Sequence, residues 1–275
     1  MAGAALAAEA ADPDQYLNLP YADDPSLQSN LNTLDIYVPQ GRQDCPVIVF
    51  LHGGTWFQGD KGRLDDKVRA FTDRGYIYVS MNYRLSPDVM HPTHVMDIAR
   101  GIAWLSSNIP RYGGNPRALV LMGHSAGGHL AALVATDPRY LGVYGLSPAN
   151  IAAVVGLDSA AYYLPGLFSG EPENGYLFEL AFGTDPAFWE EASPLNHVGP
   201  GKGIPPFFLV YAGDRSLSHT AALSMAEGLD RAGVTVELWH AQDKDHVSVE
   251  RDIGKPGDEL ADRILGFIES RGLKI

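Results

Sequence analysis

Short apolar runs recur along the chain, separated by stretches with helical spacing. Residues 34–38 (Leu-Asp-Ile-Tyr-Val) alternate apolar and polar side chains, the period-two pattern of a half-exposed edge strand, and Pro39 stops it. Residues 47–51 (Val-Ile-Val-Phe-Leu) have no polar face, which predicts a central strand covered on both sides. Further strands are predicted at 76–81, 118–122, 152–157, 207–211 and 234–239, and helices at 61–74, 95–105, 221–232 and about 257–270, with Gly75 at a helix stop. This alternation predicts an α/β architecture with a mostly parallel central sheet and helices on both faces. Right-handed crossovers then bring the C-terminal ends of the strands to one edge, where ligands bind.

Two stretches break the rhythm. Residues 1–30 are rich in Ala, Asp and Pro and read as a surface extension before a single domain over 31–275. Residues 159–200 scatter Tyr162, Tyr163, Phe168, Tyr176, Phe178, Phe182, Phe188 and Trp189 among Gly and Pro, too long a stretch for an ordinary connection. This reads as a small, cap-like excursion over the active edge, its aromatics suited equally to packing and to lining a pocket.

The chemistry centres on the run 119–133, where an apolar strand meets Gly123-His124-Ser125-Ala126-Gly127 and an Ala/Leu-rich helix begins at once. Ser125 therefore sits on a strand-to-helix elbow, where small residues permit a sharp, strained turn. A serine hydroxyl is a poor nucleophile at neutral pH and requires a base, most often a histidine oriented by a carboxylate. Asp214 follows the 207–211 strand and His246 follows the 234–239 strand, giving the chain order Ser, Asp, His that this kind of sheet imposes. An Asp after Gly is by itself a common turn residue, and a lone loop histidine is commonly solvated. Position past a strand end is what selects these two. His240 is a rival base within or at the end of its strand, and Asp243 and Asp245 are rival acids in the histidine's own loop. His52-Gly53-Gly54-Thr55-Trp56 follows the 47–51 strand, and glycines there let backbone amides approach a developing oxyanion. Gly53, Gly54, Thr55 and Ala126 are the candidate donors. Trp56 and His124 are the candidate substrate contacts.

Composition narrows the remaining classes. The 275 residues carry 20 Lys and Arg against 33 Asp and Glu, a net charge of −13, and show no basic patch, which opposes partnership with nucleic acid or an anionic membrane. Cys45 is the single cysteine, so neither an internal disulfide nor a cysteine-based metal site can form. His91 and His94 lie close enough to suggest metal ligands, but no carboxylate-rich partner accompanies them, so surface or capping roles are expected. Asp97 reads as a structural hydrogen-bonding residue. No metal and no cofactor are called for, and no run is long enough to span a bilayer. The Ala-rich start reads either as a loose tail or as the trimmed end of a secretory signal, which leaves a cytoplasmic and a periplasmic or secreted location both open. Oligomeric state is not legible.

Together, His52 to Trp56 with Gly59-Asp60-Lys61, Tyr83-Arg84-Leu85, Tyr112 to Pro116, Gly123 to Leu133, Ser193-Pro194, Asp214 and His246 resemble the α/β-hydrolase superfamily. Within it they resemble bacterial carboxylesterases with a His-Gly-Gly-x-Trp loop, a group that includes acetyl and feruloyl esterase-like enzymes and kynurenine formamidases. The resemblance covers about residue 31 to the C-terminus. It implies the α/β-hydrolase fold, with Ser125 as nucleophile, Asp214 as acid, His246 as base and amides near Gly54, Thr55 and Ala126 as oxyanion donors. Thr55 stands where many relatives have a third glycine, and the short Gly213-Asp214 spacing looks closer to the formamidase form. The expected activity is hydrolysis of small carboxylic esters through an acyl-enzyme. The alternatives are hydrolysis of an aryl formamide and, from another class, a non-catalytic binding protein on the same fold.

Overall fold

A computed structural model describes residues 11–22, 29–170 and 175–273. Among these, eight strands form one sheet: β1 (Asp14–Pro20), β2 (Thr33–Val38), β3 (Cys45–Leu51), β4 (Ile77–Met81), β5 (Gly114–His124), β6 (Ala153–Leu157), β7 (Phe207–Ala212) and β8 (Val236–Ala241). Their order is β1-β2-β4-β3-β5-β6-β7-β8. Strands β3 to β8 run parallel, and β2 pairs antiparallel with both β1 and β4.

The helices are α1 (Lys67–Thr72), α2 (Thr93–Asn108), α3 (Ala126–Thr136), α4 (Pro138–Gly142), α5 (Leu164–Gly170), α6 (Gly175–Phe182), α7 (Pro186–Glu191), α8 (Pro194–His197), α9 (Ser216–Arg231), α10 (Ser248–Arg251) and α11 (Leu260–Glu269). Central strands β3, β4 and β6 are buried along their whole length, as strands sandwiched between helices must be. One core packs Val47, Val49 and Leu121 against α2 and α3, and the other packs Ile48, Phe50 and Val155 against α1 and α11. Alternating side chains of the same strands thus feed opposite faces.

Two expectations are corrected. Residues 34–38 are not a half-exposed edge but are buried throughout, because β1 covers that side with Tyr16 opposite Ile36. Part of the segment read as a surface extension is therefore an edge strand of the sheet. The helix expected at 61–74 shortens to α1, because Lys61 is drawn into a buried ion pair with Asp35 at 2.7 Å. The first ten residues, with their Ala-rich signal-like pattern, lie outside the described residues.

Candidate active site

The elbow at the end of β5 takes the form its small residues allow. Ser125 has φ 52° and ψ −116°, a left-handed backbone conformation costly for a residue with a side chain, and its amide donates to Leu157 O at 2.9 Å. The flanking glycines are steric necessities. A Cβ on Gly123 would stand 2.2 Å from Gly127 O, and one on Gly127 would stand 2.1 Å from Leu51 O. Helix α3 starts directly after Ser125, so its positive end and the Ala126 amide face the reacting position.

His246 lies in the loop after β8. Its Nδ1 is 2.6 Å from Asp158 Oδ2, which fixes the proton on Nδ1 and leaves Nε2 to accept. Asp158 is the residue directly after β6, wholly buried, and itself left-handed at φ 46°. Burial pushes its carboxyl upward, but hydrogen bonds from His246, Ser218 and the Ala212 amide outweigh that and hold it at about 2. The Ala212 amide reaches Oδ1 at 2.9 Å, and Arg215 Nη1 stands 3.4 Å from Oδ2 and 3.1 Å from His246 Nδ1. His246 and Arg215 thus converge as donors on one carboxylate.

Asp214, expected as the acid, is not that carboxylate. It sits exposed on the turn after β7, while its neighbour Arg215 turns inward. The rival base is also removed, since His240 hydrogen-bonds Gly213 O at 2.8 Å and stacks on Tyr211.

Ser125, His246, Thr55, Trp56, Ser159 and Arg215 line one cavity of about 190 Å³, together with Ala126. The loop after β3 closes one side. Gly53 is packed so tightly that a Cβ there would lie 3.2 Å from Ser125 Cβ, and the Phe57 and Gln58 amides turn the chain back onto Gly54 O at 3.0 Å each. Gly54, Thr55 and Trp56 all have positive φ. The surrounding motif residues hold this loop. Tyr83 Oη donates to His52 O at 2.9 Å, Asp60 accepts from Asn82 Nδ2 at 2.9 Å, and Lys61 pairs with Asp35.

The two candidate substrate contacts divide. Trp56 lines the cavity, but only 2% of it is exposed; its Nε1 donates to His129 Nδ1 at 3.2 Å and its ring meets Phe178 and Phe182 edge-on. It shapes the wall and ties the excursion to α3. His124 does not line the cavity; its ring packs on that of His246 at 4.7 Å between centroids and its Nε2 lies 2.6 Å from His246 O, so it holds the His246 loop. Burial, with His246 nearby, lowers its pKa to about 3, so it is neutral and donates. His91 and His94 are buried rather than superficial. His91 Nε2 meets Glu191 at 2.5 Å, and His94 Nε2 meets Ser86 Oγ at 3.1 Å, because the excursion packs over that end of α2. Asp97 is a structural residue, receiving Arg84 Nε and Nη2 at 2.7 Å each.

A strained serine, an imidazole held by a buried carboxylate and a glycine-rich loop share one cavity at the strand ends. The BD-FAE family model matches residues 34–227, which include the loop, Ser125 and Asp158 but end before His246. The chain belongs to the BD-FAE family. Similar curated proteins include esterase LipQ of Mycobacterium tuberculosis, 30% identical over 74% of this chain and 53% of its own length. Another is the probable carboxylic ester hydrolase LipM of the same organism, 31% identical over 63% of this chain and 42% of its own. The chain thus spans about half the length of these relatives. Among solved structures, esterase B of Lactobacillus rhamnosis with a C4-C4 tributyrin phosphonate superposes with a TM-score of 0.78 at 25% identity, covering 94% of this chain and 86% of that one. A truncated carbohydrate esterase from gut microbiota superposes at 0.77 with 19% identity, covering 97% and 99%. The fold of this BD-FAE member is the α/β-hydrolase fold.

Proposed function

We propose that this protein hydrolyses small carboxylic esters through an acyl-enzyme on Ser125. The observation that carries the reading is that Ser125, strained on its elbow, opens on the same cavity as an imidazole whose Nδ1 is held by the buried Asp158 carboxylate. Ser125 Oγ attacks the ester carbonyl while His246 Nε2 takes its proton. The charge on the former carbonyl oxygen is met by the Ala126 amide and by amides of the Gly53, Gly54 and Thr55 turn, where each preorganised donor lowers the barrier by about 3–4 kcal/mol. His246 returns the proton to the leaving alcohol, then activates the water that releases the acid. Asp158 stabilises the imidazolium formed twice in the cycle. The relatives named as esterases support the bond class.

Asp158 in place of Asp214 also removes the reason for favouring a formamide. The short Gly213-Asp214 spacing no longer describes the acid, and nothing else at the site prefers an amide to an ester. The test is hydrolysis of p-nitrophenyl acetate and butyrate, with labelling by a fluorophosphonate. The wild type is expected to turn over the esters and take the label, and Ser125→Ala to lose both while keeping its folded circular-dichroism spectrum. Undiminished turnover by Ser125→Ala would exclude this mechanism.

A further inference from the structure

A second cavity of about 130 Å³ adjoins the catalytic one, and Ala160 and Leu167 line both. The two differ in chemistry. Around the reacting position the walls carry the Ser125 and Ser159 hydroxyls, Arg215 and His246, whereas the annexe is walled chiefly by hydrocarbon. Its far wall is one face of α9: Leu217, Ala221 and Ser224 recur at helical spacing, so their side chains line up on the same side. Leu195 of α8 and Leu167 of α5 close it from the excursion. The excursion and α9 thus frame a mostly apolar, solvent-open space that shares Ala160 and Leu167 with the cavity of the nucleophile.

Resting on the esterase reading above, we propose that this annexe is a substrate subsite for an unbranched alkyl chain of the ester. Its walls are mostly hydrocarbon, with hydroxyls from Tyr163, Thr220 and Ser224 alone, and a chain continuous with a group in the catalytic cavity would reach it past Ala160 and Leu167. A dry cavity of about 150 Å³ in another protein accommodates benzene, so this one suits about six carbons. Each methylene moved from water into such a site is worth roughly a fourfold gain in kcat/KM. An alkyl chain can belong to the acyl or to the alcohol half, and two substrate series separate them.

The experiment measures kcat/KM for p-nitrophenyl acetate, butyrate, hexanoate and octanoate, and in parallel for ethyl, butyl and hexyl acetates. Wild type and the cavity-filling variants Ala221→Phe and Ser224→Phe are compared. The readout is the ratio of long-chain to acetate or ethyl kcat/KM within each protein, so a general loss of folded enzyme cancels. In the wild type, one series is expected to rise roughly fourfold per methylene until the annexe is full. Both variants are expected to flatten that rise at least tenfold for the longest chain. The series that responds names the half of the ester held there. A flat profile in both series, or a rise that both filled variants keep, overturns the proposal while leaving the esterase reading intact. Absence of hydrolysis of every ester, acetate included, overturns both.

Discussion

Replacing Asp158 with Asn tests which carboxylate serves the histidine. Asp158 Oδ1 accepts the Ala212 amide at 2.9 Å, and Oδ2 accepts His246 Nδ1–H at 2.6 Å with Arg215 Nη1 at 3.4 Å. An asparagine that keeps its carbonyl on the Ala212 amide must turn its NH2 towards His246. The imidazole then shifts its proton to Nε2, so that Nδ1 can accept, and it meets Ser125 as a donor unable to take the hydroxyl proton. In a serine protease the same tautomer error lowers kcat by about 10⁴, equivalent to about 5.5 kcal/mol of transition-state stabilisation. The opposite orientation sets NH2 against the Ala212 N–H and leaves that buried amide unsatisfied, at about 1–3 kcal/mol. Asp158→Asn is therefore expected to lose 10³–10⁴ in kcat on p-nitrophenyl butyrate, with KM little changed and fluorophosphonate labelling slowed in parallel. Asp214→Asn, altering an exposed turn residue, is expected to stay within about threefold of wild type. A loss of a hundredfold or more in Asp214→Asn, with Asp158→Asn within tenfold, would refute the assignment.

Two further outcomes follow from the same geometry. Gly127→Ala would drive a methyl group to 2.1 Å from Leu51 O and 2.7 Å from His52 O, both backbone atoms, so both the elbow and the oxyanion loop must move. The expected result is a Tm lower by roughly 5 °C or more together with loss of ester hydrolysis, and an unshifted Tm would contradict the steric reading. The pH dependence of stability has a definite sign: Asp158 titrates near 3.8 when unfolded and near 2 when folded, so its contribution is present above pH 4 and lost as pH falls through about 2. That contribution is of order 2 kcal/mol, and urea midpoints of wild type and Asp158→Asn should converge between pH 4 and pH 2. A constant gap across that range would show that the carboxylate's charge contributes nothing to folding.

The strands β3 to β7 were legible because each carries an apolar run that is buried between helices, β8 at the sheet edge kept a partly buried run of Val236, Leu238 and Trp239, and the spacing by helices dictates parallel order. Strand β1 was not. Its sequence, Asp-Gln-Tyr-Leu-Asn-Leu-Pro, is exposed along nearly its whole length, so no apolar period marks it, and only hydrogen bonding to β2 makes it a strand. That pairing also buried β2 and made an apparent edge strand an interior one. The buried roles of His91, His94 and Lys61 were hidden for the same reason, since their partners Glu191, Ser86 and Asp35 lie from 8 to 100 residues away.

The site divides along a related line. Ser125, the Gly53-Gly54 turn and His246 each carry a local mark: an elbow that only glycines permit, or a loop position past a strand. The acid carries no such mark, because any carboxylate at the sheet edge within reach of Nδ1 can hold the imidazole, and both β6 and β7 end there. Asp214 was favoured by its place after β7. Yet the residue directly after the 152–157 strand is Asp158, and that position lies at the same edge one strand nearer to the nucleophile. What decides between them is burial, which a turn following Gly213 cannot supply: Asp214 remains in water, where a carboxylate screened by solvent would hold an imidazolium weakly. Asp158 is enclosed, its charge sustained by the Ala212 amide, Ser218 and Arg215. Arg215, the residue next to the expected acid, reaches Asp158 at the end of β6, so the β7 turn still serves the site by placing a cation beside the carboxylate that holds His246.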